Sequence, residues 1–333
     1  MKAMSEVPQR KSITPAFVVL AIGAVLPYVI TSGFQLRLVM LIGIYAILSM
    51  GFNLLYGYTG QISLGQQAFF AIGAYAFSLL QLKAQWSPVW AMLSSIGMCA
   101  AVALLIGIPL LRLRTHYLAM ATLAFGLIFY GVAIRWIDFT GGSTGLALPP
   151  LVLGEEPLGK VGIYYVILIF MGLVLLLHDF IIRSHIGRAL QAIRDDETAA
   201  SALGVNVTGY KLRVFVLAAV IAGVAGVCFS IMSLRVDPSM SEFRILVSIL
   251  TVAVVGGLGT RFGPILGSII VVLLPQVLVS FGELETLVYG VFILGFLLFM
   301  PHGLSGLLED MRWRKFLRGR FTQFGQKLKQ AGK

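Results

Sequence analysis

Ten stretches of this chain are apolar on every face, with neither the alternation of a half-buried strand nor the stripe of a surface helix. They cover residues 14–32, 37–56, 68–82, 88–111, 117–136, 163–182, 214–234, 245–256, 264–282 and 286–300. About 20 helical apolar residues cross the hydrocarbon of a bilayer, and a helix keeps its own backbone polar groups satisfied there. The pattern predicts an all-α, polytopic transmembrane helix bundle of about ten spans, some of them short. Glycine interrupts the pattern twice. In YGYTGQISLGQQAFFAIGAY, residues 56–75, Gly57, Gly60 and Gly65 stand among Tyr58, Gln61, Ser63, Gln66 and Gln67. In VVGGLGTRFGPILGS, residues 254–268, the run is broken by Gly256, Gly257, Gly259, Gly263 and Pro264.

Composition agrees with a membrane location. Hydrophobic residues make up 58% of the 333 and charged residues 12%, against about a quarter charged in soluble domains. One integral domain, residues 14–300, accounts for the length better than two soluble ones. The net charge of +11 is concentrated at the ends. Lys2, Arg10 and Lys11 lie in the segment 1–13, and Arg312, Arg314, Lys315, Arg318, Arg320, Lys327, Lys329 and Lys333 in the tail 301–333. Clusters of this kind mark the cytoplasmic side and attract anionic membrane lipid, and their placement argues against nucleic acid. With both termini cytoplasmic, the span count puts Arg112, Arg114 and the loop 183–213 inside. It puts 137–162, with Asp138, Glu155 and Glu156, outside. The first apolar run is too long for a signal-peptide core and lacks a small-residue cleavage site, so it is read as a retained span. Cys99 and Cys228 sit inside apolar runs as packing residues.

Two short motifs are set aside on their context. GEEPLGKV, residues 154–161, fits the frame of a phosphate-cradling loop, but Val161 stands where magnesium needs Ser or Thr, and two glutamates would repel phosphate. GGSTG, with Gly141, Gly142, Ser143 and Gly145, fits the frame of a serine nucleophile elbow, yet the four histidines are assigned to or near cytoplasmic ends. It is read as an external turn. No histidine spacing matches a metal site.

Two readings of the glycine breaks remain open. Broken backbone in a membrane must line a cavity or pack on protein. Tyr58, Gly60, Gln61, Ser63, Gly65 and Gln66, together with Gly256, Gly257 and Gly259, therefore either line a translocation path or brace neighbouring helices. Their places in opposite halves of the chain hint at an internal repeat. The loop around residues 185–213 contains a short helix, capped by Asp195 or Asp196, rich in Ala199, Ala200 and Ala202, and stopped by Gly204 before Asn206. It is shaped either to dock in another protein's groove or to serve as a solvated connector.

Four ordered motifs carry a family resemblance: GYTGQISLGQQAFFAIGAY, TGGSTGL, GRALQAIRDDETAASALGVN and VVGGLGTRFGPILG. The chain resembles the LivM-type permease of branched-chain amino acid ABC importers. The resemblance implies a non-enzymatic subunit of the bacterial inner membrane that binds no cofactor itself. ATP and Mg are handled by two separate ATPase subunits, a LivH-type second permease completes the path, and an extracytoplasmic solute-binding protein delivers the solute. Residues 194–206 then form the coupling helix, with Arg194, Asp195, Asp196, Glu197, Thr198, Ala199, Ala200, Leu203, Gly204 and Asn206 at the ATPase contact. TAASALG is similar to the EAA-x3-G signature of ABC permeases, with Thr198 in the place of Glu, so that Glu197 is the candidate for its part. Relatives often have His at the position of Gln66, which does not titrate. Branched-chain or other neutral amino acids lead as solute, and related permeases for urea, short amides or other small acids share the motifs. A self-sufficient secondary transporter and an intramembrane hydrolase using Ser143 are the competing classes.

Overall fold

The computed structural model describes residues 14–30, 32–113, 115–152, 156–278, 285–300 and 303–306. The segment 1–13, Gly154 and Glu155, the end of the predicted span 264–282, and the basic tail beyond residue 306 lie outside the described residues.

A helix coincides with each of the ten apolar runs. They are α1 (Thr14–Val29), α2 (Gly33–Phe52), α3 (Gln66–Leu82), α4 (Pro88–Leu110) and α5 (Thr115–Arg135), then, after the single turn α6 (Ile137–Thr140), α7 (Lys160–Arg183). The short α8 (His185–Asp195) and α9 (Glu197–Ala202) precede α10 (Val207–Ser233), α11 (Phe243–Gly256), α12 (Gly263–Leu278) and α13 (Glu285–Phe299). Five are long and apolar enough to cross a membrane: α2 with its extension to Tyr58, α4, α5, α7 and α10. The other five, α1, α3, α11, α12 and α13, run 14 to 17 residues. The architecture is thus a helical membrane bundle. One departure from all-α is a minimal antiparallel sheet in which β1 (Leu146–Ala147) pairs with β2 (Arg235–Val236).

α10 runs through the centre and packs on α2, α3, α4 and α7. Its crossing with α3 is tight because Gly73 meets Gly223 and Gly226 meets the carbonyl of Phe70, where any Cβ would overlap backbone. Backbone approach of this kind replaces the hydrophobic drive that apolar lipid removes. Around the crossing, Phe69 packs on Phe215 and Phe125, and Phe70 on Phe229. α1 lies at the edge, held where Tyr164 Oη donates to Gly23 O at 2.6 Å and Tyr165 Oη to Ala24 O at 3.2 Å.

The connections gather at two ends. At one, β1 and β2 pair, Lys83 Nζ donates to Asp138 O at 2.7 Å, and Arg235 donates to Thr144 O at 2.6 Å. At the other lie the end of α2, the α11–α12 connection, and α8 with α9. Both glycine breaks fall at this second end.

Candidate functional site

The first break is a change of helix type. From Asn53 to Tyr58, α2 continues as a six-residue π-helix, a widened turn that is uncommon and concentrates at functional sites. The widening lets the Asn53 carboxamide reach the second break. Its Oδ1 accepts from Gly259 N at 2.8 Å, and its Nδ2 donates to Thr260 O at 2.9 Å. Gly259 has φ of +71°, a left-handed conformation that suits glycine, and Gly57 has no room for a Cβ between Asn53 and Gly259. Thr260 Oγ1 closes the turn on Gly257 O at 2.6 Å.

Two further elements join there. Arg194, near the end of α8, donates Nη1 to Gly57 O at 2.5 Å, satisfying a carbonyl beside the break. Gly60, with φ of +69°, passes close to the Arg194 side chain. From α7, Asp179 pairs with Arg183 Nε at 3.0 Å and Arg261 Nε at 2.5 Å, with its own side chain 5% exposed. Burial pushes the Arg261 guanidinium below its usual range while Asp179 pulls it back up, and guanidinium stays protonated in proteins. His178 Nε2 lies 3.4 Å from Asn53 Nδ2, with the Tyr58 ring edge-on at 5.8 Å. Elements some 200 residues apart in sequence are therefore tied into one polar joint.

The predicted coupling segment divides between elements. Asp195 ends α8 in the open, and the cap of α9 is Asp196, whose Oδ1 accepts from Thr198 N at 2.8 Å and Ala199 N at 3.0 Å. Glu197 pairs with Lys211 at 2.5 Å. Ala200 is buried, Thr198 and Ala199 are exposed, and Leu203 is 85% exposed. Gly204 has φ of +84° after the helix, as its role of stop requires. Asn206 belongs to the next element: its Oδ1 accepts from Gly209 N at 2.9 Å and caps α10. Sequence reasoning did not separate α8, although Ile186, Leu190 and Ile193 repeat at helical spacing.

Seven residues past the π-helix begins, the polar chemistry changes character. Residues 60–65 form a non-helical link, and α3 starts at Gln66 without a side-chain cap. Gln61, Ser63, Gln66 and Gln67 are at most 3% exposed. Both amide atoms of Gln61 and of Gln66, Ser63 Oγ and Gln67 Oε1 have no hydrogen-bond partner among the described residues. Ser49 on α2 and Tyr75 on α3 add unmatched hydroxyls. A buried polar group left unmatched costs about 1–3 kcal/mol, and none of these atoms recovers that cost from the described residues around it. Only the backbone of the link is anchored: Leu64 N donates to Thr122 Oγ1 at 2.9 Å, and Gly65 sits against Thr122 O. The freed backbone at the breaks is served by Asn53 and Arg194, which the sequence reading had not singled out for this, and not by the glutamines.

Gly141, Gly142, Ser143 and Gly145 lie at the strand end. Ser143 is exposed on a 3-10 turn, Gly142–Thr144, followed by the short strand β1 and not by the helix a nucleophile elbow requires. No group of three or more His, Cys, Asp or Glu able to hold a metal occurs among the described residues.

Apolar helices enclosing unmatched amides beside glycine breaks are the build of a membrane-embedded transport protein. The chain belongs to the family described as branched-chain amino acid transport system / permease component, whose model matches residues 34–300. It is 32% identical over 311 residues to the high-affinity branched-chain amino acid transport system permease protein LivM of Salmonella typhimurium, covering 86% of this chain and 73% of that one. It is also 32% identical over 322 residues to LivM of Escherichia coli, covering 89% and 75%. BraD of Pseudomonas aeruginosa, another such permease protein, is 29% identical over 289 residues, covering 80% and 92%. No solved structure matches the chain. The protein is a LivM-type permease with the transport role of an ABC importer subunit, and not an enzyme.

Proposed function

We propose that this chain is one of two permease subunits through which an ATP-driven importer of the bacterial inner membrane carries branched-chain or other neutral amino acids inward. Its relatives' names carry the solute class, and the bond from Arg194 to Gly57 carries the mechanism. In this reading the joint end faces the cytoplasm, in keeping with Arg112, Arg183, Arg188 and Lys211 beside it, and both termini lie on that side. The exposed Leu203 and the capped α9 seat in a groove of one ATPase subunit, and a second ATPase serves a LivH-type partner permease. ATP and Mg stay on those subunits, and an extracytoplasmic binding protein supplies solute opposite. The basic tail meets anionic lipid.

The physics is population shift. ATP binding favours one arrangement of the ATPases, and α8–α9 move with them. Because Arg194 grips the π-helical end of α2, that motion reaches the glycine breaks, where backbone is easiest to rearrange. The reaction contributed by this chain is a change of access, with no bond made or broken.

The test uses the full assembly in proteoliposomes, with the binding protein encoded beside this chain and its ligand identified by calorimetry. Leu203→Asp weakens ATPase co-purification. Arg194→Leu removes one charge-assisted hydrogen bond, of about 1.5–3 kcal/mol, and lowers leucine taken up per ATP hydrolysed by roughly tenfold or more. Unchanged stoichiometry in Arg194→Leu would show that coupling runs by another route.

A further inference from the structure

The row Gln61, Ser63, Gln66 and Gln67 has a hydrogen-bonding inventory that specifies its ligand more narrowly than a general polar path. Three carboxamide oxygens, those of Gln61, Gln66 and Gln67, are acceptors unmatched among the described residues. The Nε2 groups of Gln61 and Gln66 are unmatched donors, and the Ser63 hydroxyl is free to donate. Since both atoms of Gln61 and Gln66 are unmatched, their share of the count does not depend on which way either amide is turned, and Gln67 adds its Oε1 as the amide is placed. A second observation points the same way. α3, 17 residues long, begins at Gln66 with Gly65 at its N-cap and no side chain capping it. Of its first-turn N–H groups Ala68 N donates to Gly65 O at 3.1 Å, and the positive end of the helix lies in the same short buried segment as the glutamines.

We propose that this row and the start of α3 form an intramembrane subsite for the main-chain zwitterion of an α-amino acid. The ammonium offers three N–H donors, the number of free carboxamide oxygens. The carboxylate takes the Gln61 and Gln66 Nε2 groups, the Ser63 hydroxyl and the helix end. No Asp, Glu, Lys, Arg or His occurs in residues 56–75, so a solute with net charge would find no counter-charge in this segment while a zwitterion is accepted as a neutral whole. Neutral amides hold such a ligand loosely, as a site that must release its cargo requires. The inference rests on the importer reading above and adds to it the part of the solute that is recognised.

The test places the native assembly in nanodiscs without binding protein and records ligand-observed saturation-transfer NMR with three probes: L-leucine, leucinamide, which lacks the carboxylate, and 4-methylpentanoate, which lacks the ammonium. Leucine gives a transfer signal, and each half-ligand gives one weaker by about tenfold, the loss of one hydrogen-bonded charged group. Gln61→Leu and Gln66→Leu each lower the leucine signal by about the same factor. Equal signals from the three probes, no signal from leucine, or a leucine signal unchanged in both variants would overturn the proposal. The probe comparison uses the native chain, so it stands even where a variant does not assemble. ATP-driven leucine uptake by the native assembly separates the two levels: its absence sinks the importer reading, whereas uptake with equal probe signals sinks only the subsite.

Discussion

Asn53 and Gln61 carry the same carboxamide, lie eight residues apart and are both almost wholly buried, yet they are opposites. Every polar atom of the Asn53 amide is engaged, across about 206 residues of chain, with Gly259 and Thr260. Neither polar atom of the Gln61 amide is engaged among the described residues. In a low-dielectric interior this difference governs what an amide can do. A satisfied one holds parts together, and an unsatisfied one is a standing cost unless water, solute or a partner relieves it. The two halves of residues 53–67 thus differ in how their amides are satisfied. The span from Asn53 to Gly60 braces, and that from Gln61 to Gln67 is the one proposed to receive solute.

The sharpest way to break the comparison is to attack the bracing side at its charges. Asp179 is the carboxylate that Arg183 and Arg261 share, and Asp179→Ala leaves two guanidinium groups facing each other in a largely buried place. Removing one partner of a buried ion pair costs about 3–5 kcal/mol. Thermal unfolding in nanodiscs, followed by tryptophan fluorescence, is expected to show the largest drop of the set, and Asp179→Leu combined with Arg261→Met recovers much of it. A next, smaller loss is expected from Asn53→Leu. That change strands Gly259 N–H and Thr260 C=O at about 1–3 kcal/mol each when no water reaches them. Wild-type stability in Asn53→Leu would mean that the two breaks are held together by apolar packing alone.

Much of the bundle was legible because lipid enforces a simple code. Uniformly apolar runs marked ten of the helices, α1–α5, α7 and α10–α13, and the cap of α9 and its stop at Gly204 followed from Asp, Ala and Gly chemistry. The joint was harder. Its members come from residues 53–60, 178–194 and 257–261, and nothing local says that they meet. A signal did exist in Asn53, a lone amide in the apolar run of α2, and in Asp179, a lone acid at the end of another. Polar residues in such settings are costly unless partnered. The change to a π-helix and the division of residues 194–206 between α8, α9 and the cap of α10 depend on three-dimensional closure and could not be read from spacing. Bracing and passage were indistinguishable in the sequence because glutamine and asparagine serve both; the structure adds that Asn53 has partners and that Gln61 and Gln66 have none among the described residues.

The smallest expected effect on stability decides most about the comparison. Replacing Gln66 by Leu removes two buried polar atoms that have no partner among the described residues and puts an apolar side chain of similar length in an apolar surround. If Gln66 braced the bundle, the change would destabilise it as Asn53→Leu does. If the amide waits for a ligand, the empty protein loses nothing: its stability stays level or rises by about 1–3 kcal/mol, the desolvation cost relieved, and the unfolding temperature stays level or rises with it. The sign is therefore the measurement that matters. A clear fall in the unfolding temperature of Gln66→Leu, comparable with that of Asn53→Leu, would make both stretches structural and leave the passage to be sought elsewhere in the bundle.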